Sequence, residues 1–122
     1  MVYTGTHDND TTLGWYQTLD DGAKAHLQTL LDNEAPNMPH ALVELALNTK
    51  ANLAIIPMQD ILGLDGAHRM NIPGTMGGNW QWRFDWDAFE NLDKNSIKNA
   101  IKSSGRVNKW VCKINGPVIK CL

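Results

Sequence analysis

The segment that decides the fold of this chain reads Val-Tyr-Thr-Gly-Thr-His-Asp-Asn-Asp-Thr and covers residues 2–11. It opens with a β-branched and aromatic run at residues 2–4, which predicts a strand. Residues 5–12 then predict a loop rich in hydrogen-bonding side chains. His7 and Asp8 stand where the strand gives way to the loop. A histidine and a carboxylate in that position suit the binding of sugar hydroxyls.

A second strand is predicted from the apolar run at residues 53–56, which Pro57 ends. Continuous apolar runs are typical of parallel strands that are covered on both faces. Between the strands we expect one helix capped by Asp20 or Asp21 and another with Pro39 in its first turn. The predicted apolar faces are Ala23, Leu27, Leu30 and Leu31 on the first helix, and Met38, Ala41, Leu42, Leu45 and Ala46 on the second. This order predicts a right-handed parallel βαβ unit.

A long glycine-rich segment at residues 60–84 follows the second strand, and connections of this length are usually functional. It contains Arg-Met-Asn-Ile-Pro-Gly-Thr-Met-Gly-Gly-Asn-Trp-Gln-Trp-Arg at residues 69–83. The loops that follow parallel strands open on the same side, so we expect this segment beside the loop at residues 5–12. Gln59 and Asp60, at the end of the second strand, are expected to hold it in place.

Two more helices are predicted beyond this loop. Asp87 and Glu90 fit a capping-box-like start for a helix through Leu92. Apolar residues between positions 97 and 101 are spaced for a second helix, which stops at Gly105.

The motifs at residues 2–11 and 69–83 together resemble those of the 4-α-glucanotransferases, the amylomaltase or disproportionating enzyme family. The resemblance implies an enzyme that transfers α-1,4-glucan segments between maltooligosaccharides by a retaining mechanism. It also implies a (β/α)₈ TIM barrel, a fold of typically about 250 residues before insertions. Residues 1–105 would form the C-terminal quarter of that barrel, with its last two strands and their helices, and would be helix-rich as a fragment. The family's nucleophilic aspartate and acid/base glutamate lie on earlier strands, so the isolated chain is expected to be inactive.

The resemblance also implies roles for individual residues. Asp8 matches a third carboxylate that binds ring hydroxyls more tightly as positive charge develops in the transition state, with His7 as its hydroxyl-binding partner. Asn71 and Asn79 match positions on the acceptor side of the cleft. Trp80 is expected either to stack on a glucose ring or to fill the core. Without the flanking motif, the polar run at Asp8 would more simply cap a following helix.

Composition narrows the functional classes. In 122 residues with 43% hydrophobic side chains, no run approaches the roughly 18 apolar residues of a membrane span. Cys112 and Cys121 are the only cysteines, which argues against a disulfide scaffold and for a cytoplasmic chain. His26 and His40 lack partners at metal-ligand spacing, so we expect no metal or other cofactor. The expected partners are α-1,4-glucans and the missing N-terminal part of the enzyme, with no nucleic acid and no membrane.

Charge changes sign near Lys94. All 13 acidic residues lie in 1–93, whereas seven of the 11 basic residues lie in 94–122. No aromatic platform or binding motif accompanies the basic stretch, so a solvated helix face followed by sequence foreign to the domain is favoured over a nucleic-acid or membrane-surface tail. Residues 106–122 depart from the family pattern and have no functional interpretation. A two-strand ribbon around residues 115–116 is opposed by Pro117.

Two alternatives to the enzyme remain open. One is a carbohydrate-binding module without catalysis, which the same amides and indoles would serve. The other is a protein-interaction fragment, in which the acidic helices and the basic tail pair with another chain. Affinity for maltooligosaccharides separates the enzyme and the binding module from the interaction fragment.

Overall fold

A computed structural model describes residues 1–107 of the chain. These residues belong to two compact units, Met1–Leu92 and a second unit that begins at Asp93. The elements in chain order are β1 (Val2–Tyr3), α1 (Thr12–Thr18), α2 (Asp21–Leu31), α3 (His40–Leu47), β2 (Ala54–Ile55), α4 (Met58–Leu62), a 3₁₀ turn (Gly66–His68), α5 (Trp86–Glu90) and α6 (Lys94–Ser103). No helix in this part of the chain has the length and apolar character needed to cross a membrane.

The strands β1 and β2 pair in parallel, as predicted, with Val2 opposite Ala54 and Tyr3 opposite Ile55. Because the two strands run in the same direction, the loops that follow them leave from the same end of the sheet. The expectation that the second strand is covered on both faces is wrong for this chain. Leu53 and Ile55 are 52% and 48% exposed, since the sheet formed within residues 1–107 has only two strands.

The helix α1 was not predicted, because the loop was expected to run through Thr12. Thr11 is its N-cap, and its Oγ1 accepts a hydrogen bond from the backbone N–H of Gly14 at 3.1 Å. A threonine that precedes a helix in this way is a common cap. The helix has little apolar periodicity, so the cap residue was its main signal in the sequence.

The helix α2 is capped by Asp20, whose carboxylate accepts the N–H of Ala23 at 2.7 Å, as expected. The predicted packing faces of α2 and α3 are partly wrong, because Leu30 and Leu45 are 64% and 50% exposed. The buried residues of α3 are Val43, Ala46 and Leu47, and Pro39 before them is also buried. Those positions form a helical stripe too. An octapeptide as apolar as α3 offers two such stripes, and periodicity alone does not choose between them.

The region predicted as one loop at residues 60–84 contains most of α4 and the 3₁₀ turn, followed by irregular backbone. The helix α5 begins after Asp85, whose carboxylate accepts the N–H of Asp87 at 3.0 Å, so the predicted cap at Asp87 is two residues late. In the second unit, α6 is capped by Asp93, which was not predicted from the sequence. Gly105 at φ +70° follows the helix, where its end was predicted. The boundary after residue 105 stays a prediction, and the possible ribbon around residues 115–116 lies outside the described residues.

Candidate functional site

Two loops meet at the carboxyl end of the sheet, as the sequence predicted. The first loop is residues 4–11, after β1, and the second loop is residues 69–80, which β2 reaches through α4 and the 3₁₀ turn. Nη2 of Arg69 donates to the carbonyl oxygen of Asp8 at 3.0 Å, across 61 positions of sequence. Nδ2 of Asn71 donates to Oδ1 of the Asp8 side chain at 2.7 Å. Both of these hydrogen bonds between the two loops therefore end on Asp8, which lies at the centre of their junction.

The Asp8 carboxylate has two unequal oxygens. Oδ1 accepts the Asn71 amide and lies 3.3 Å from Nε2 of His7. Within residues 1–107, no group donates to Oδ2. The side chains of Asp8 and His7 are each 54% exposed. One oxygen is thus held in place, while the other can accept hydrogen bonds from the hydroxyls of a ligand.

Trp80 lies beside this pair and is not a core residue. Its indole is 56% exposed, and its ring centroid is 4.9 Å from that of His7, with the planes tilted by 42°. Its backbone has φ +64°, an unusual value for a bulky residue, and its N–H donates to the carbonyl of Met70 at 2.7 Å. That hydrogen bond closes the base of the second loop. An exposed indole held in this way can offer a face to a sugar ring.

Asn79 lies in the same loop, but its amide is directed into the loop itself. Oδ1 accepts the backbone N–H of Ile72 at 2.9 Å, and Nδ2 donates to Oγ1 of Thr75 at 2.9 Å. Asn79 therefore shapes the tip of the second loop. Its predicted contact with substrate stays a prediction.

Arg69 is the site residue that sequence reasoning missed. Besides its bond to Asp8, Nε donates to the carbonyl of Asn71 at 3.3 Å, and Nη1 lies 3.8 Å from Oδ2 of Asp10. A signal was available, because Arg69 is one of only four basic residues among the first 93. A cation in such acidic surroundings usually has an anionic partner.

Behind the junction, two buried polar residues support the loops. Asp60 is 1% exposed, and its carboxylate accepts the N–H of Thr12 at 2.9 Å, the hydroxyl of Thr12 at 2.7 Å and the hydroxyl of Thr4. Gln59 donates from Nε2 to the carbonyl of His68 at 3.2 Å. The sequence predicts that both Gln59 and Asp60 hold the second loop in place. Instead, Gln59 secures the 3₁₀ turn that leads into it, and Asp60 anchors both ends of the first loop.

The helix α1 and the 3₁₀ turn approach so closely at Gly14 that there is no space for a side chain there. A Cβ atom on Gly14 would lie 2.7 Å from the backbone nitrogen of Gly66 and 2.5 Å from Oδ1 of Asp10. A cavity of about 190 Å³ remains between the first loop and the start of the second. It has room for several water molecules, since one needs about 10–15 Å³.

No cluster of three or more potential metal ligands occurs in residues 1–107. His26 is exposed, and Nδ1 of His40 is buried without a hydrogen-bond partner among these residues. Neither histidine contributes to the junction of the two loops.

The chain is similar in sequence and in structure to known 4-alpha-glucanotransferases. A family model described as 4-alpha-glucanotransferase matches residues 1–89. The potato chloroplastic/amyloplastic 4-alpha-glucanotransferase is 44% identical over 111 residues, which are 88% of this chain and 19% of the relative. The 4-alpha-glucanotransferase of Synechocystis is 48% identical over 107 residues, 87% of this chain and 21% of the relative. The structure of an amylomaltase from Streptococcus agalactiae in complex with acarbose superposes with a TM-score of 0.78 at 33% identity, covering 87% of this chain and 22% of that one. The chain spans about a fifth of the length of the curated relatives it matches.

Proposed function

Because this chain belongs to the 4-alpha-glucanotransferase family, we propose that the junction of its two loops forms part of an active site for transferring α-1,4-glucan segments between maltooligosaccharides. The observation that carries the proposal is the hydrogen bonding of the Asp8 carboxylate. One oxygen of this carboxylate accepts the Asn71 amide, and the other has no donor among residues 1–107. Asp8 also lies in the motif that resembles the family's.

The proposed role of Asp8 follows from the chemistry of retaining transfer. Two carboxyl groups make and break the glycosidic bond through a covalent glycosyl-enzyme, with oxocarbenium-like transition states on either side. A third carboxylate that accepts hydrogen bonds from ring hydroxyls binds the distorted sugar more strongly as positive charge grows. In this proposal Oδ2 of Asp8 receives those hydroxyls, and the Asn71 amide keeps the carboxylate pointed at the sugar.

The surrounding side chains suit a glucan. Trp80 and His7 present adjoining rings beside Asp8, and the exposed indole can stack on the apolar face of a glucose unit. The second loop, shaped by Asn79, would line the acceptor side. The S. agalactiae amylomaltase that superposes on this chain was captured with acarbose, which supports a glucan-like ligand here.

We further propose that β1 and β2 are the last two strands of a (β/α)₈ barrel. Their parallel pairing and the position of the loops at their carboxyl ends support this, since such barrels build their sites at that face. The nucleophile and the acid/base would come from preceding strands, so the 122-residue chain would be inactive alone. A cytoplasmic location remains a prediction, because the potato relative is named as chloroplastic or amyloplastic.

The first test concerns the chain by itself. The purified protein should show no disproportionation of maltotriose above buffer, because the nucleophile and the acid/base that retaining transfer requires would come from the preceding strands. Turnover that survives further purification and is lost in Asp8→Ala would contradict this.

The second test concerns Asp8 in the full-length enzyme that contains this segment. Asp8→Asn keeps the shape but removes the charge, so kcat should fall by about 10² with a smaller change in KM. His7→Ala should cost less. Asp87→Asn on the exposed surface of α5 is the matched control and should leave both constants unchanged. An Asp8→Asn enzyme near wild-type kcat would refute the proposed role, and sugar binding without any Asp8-dependent turnover would favour the carbohydrate-binding module.

A further inference from the structure

Arg69 joins the first and second loops through a single side chain. Nη2 donates to the carbonyl oxygen of Asp8 at 3.0 Å, and Nε donates to the carbonyl oxygen of Asn71 at 3.3 Å. We propose that Arg69 is a positioning residue, whose guanidinium fixes the backbone at Asp8 and at Asn71 so that the Asn71 amide meets the Asp8 carboxylate. Its importance for catalysis rests on the proposed role of Asp8.

The need for such a residue follows from how the first loop is built. The backbone N–H and the hydroxyl of Thr6 donate to Oδ1 of Asn9, and the N–H of Asn9 donates to the carbonyl of Thr6. These bonds close the turn around Asp8, but they do not connect it to the second loop. The bond from Asn71 to Asp8 spans 2.7 Å, and it forms only if the two backbones keep their separation. Arg69 binds both backbones and so sets that separation.

Arg69 itself is anchored by Asp10. Nη1 lies 3.8 Å from Oδ2 of Asp10, with the two side chains 21% and 26% exposed. Oδ1 of Asp10 accepts the N–H of Thr11 at 2.7 Å. Cβ atoms on Gly14 and Gly66 would lie 2.5 Å and 2.9 Å from the same oxygen, so Asp10 is packed against the backbone of both glycines. The cation therefore has a fixed partner at the junction of α1 and the 3₁₀ turn.

The arrangement requires the shape of arginine as well as its charge. Two nitrogens of the planar group donate to the carbonyls of Asn71 and Asp8, and the third lies 3.8 Å from Oδ2 of Asp10 in an ion pair. Lysine has one ammonium nitrogen, which can stay near Asp10 but cannot bind both carbonyls in the same way. Arg69→Lys should therefore preserve the anchor and lose the alignment of the loops.

Hydrogen exchange of the 122-residue chain, followed by mass spectrometry, tests this directly. Arg69→Met keeps the length of the stem and removes every donor. It should raise exchange by about tenfold in residues 5–10 and 70–80 together, since bonds formed by a charged donor are the stronger ones. Exchange in α3 should not change. Arg83→Met is the matched control, because Arg83 is exposed and donates to the carbonyl of its neighbour Trp82, and it should leave both loops as in the wild type.

Coupling to Asp8 separates positioning from general support. In the wild type, Asp8→Ala removes the Asn71 bond and should raise exchange in residues 70–80. In the Arg69→Met background the same change should add little, because the bond is already lost. A full Asp8→Ala effect in that background, or faster exchange in one loop without the other, would overturn the proposal.

If exchange in α3 also rises in Arg69→Met, that variant has lost its fold and the comparison passes to Arg69→Lys, with the same criteria for both loops. None of these measurements involves a sugar. Failure of the Asp8→Asn kinetics would refute the proposed function and leave this result standing, whereas uncoupled loops would refute the positioning role alone.

Discussion

Replacing Asp60 should be the most damaging single change in the first unit. Asp60 is 1% exposed, and it accepts three hydrogen bonds, from the N–H and hydroxyl of Thr12 and from the hydroxyl of Thr4. These bonds tie α4, which follows β2, to both ends of the first loop. Asp60→Ala leaves all three donors without their acceptor.

The hydrogen bonds and burial around Asp60 determine how much stability Asp60→Ala should lose. A hydrogen bond to a charged group contributes about 1.5–3 kcal/mol, and the contributions are not additive. Thr12 is 5% exposed, so water cannot readily replace the acceptor of its N–H, whereas the hydroxyl of Thr4 can rotate toward another partner. If the Thr12 N–H and one hydroxyl are counted in full, Asp60→Ala should lower the free energy of unfolding by about 3–6 kcal/mol.

Urea unfolding, monitored by far-ultraviolet circular dichroism, measures the free energy of unfolding of each variant. Asp60→Asn retains one acceptor oxygen and should lose about half as much. Asp65→Ala is the matched control, because its exposed carboxylate caps the 3₁₀ turn through the N–H of Ala67 and should cost about 1 kcal/mol. A loss for Asp60→Ala no larger than that of the control would refute the reasoning. Should Asp60→Ala fail to fold, Thr12→Val removes one of the three donors and should still cost about 1–2 kcal/mol.

Three further outcomes follow from the packing. Gly14→Ala places a methyl group 2.5 Å from Oδ1 of Asp10 and 2.7 Å from the nitrogen of Gly66. It should therefore lower the free energy of unfolding by about 1–3 kcal/mol in the same assay. Gly77→Ala is the control and should not lower it, because no atom lies within 4 Å of the added methyl group. Thr11→Ala removes the cap of α1 and should cost about 1 kcal/mol, with Thr11→Ser restoring it. The sheet within residues 1–107 has only two strands, so sedimentation should show mass increasing with concentration as strand edges associate, and a monomer at every concentration would contradict this.

The local features of this chain could be predicted from its sequence. The strand at the start, the cap at Asp20 and the end of α6 before Gly105 follow from residue types and near neighbours. The parallel pairing followed from the order of elements, and it brought His7 and Asp8 toward the second loop. Local propensity and chain topology are sufficient for such features, because they depend on few distant contacts.

Only the tertiary structure determined how the helices and loops contact one another. The buried stripe of α3 depends on which of its two apolar faces is covered, and the contacts of Arg69 with Asp8 and Asp10 join residues that are far apart in the chain. The inward amide of Asn79 depends on the conformation of its own loop. The sequence by itself determined the family motif, the parallel strands and the position of Asp8 after β1. The tertiary structure alone determined which oxygen of Asp8 is held and by what, because the hydrogen bond from Asn71, 63 positions along the chain, exists only once both backbones are in place.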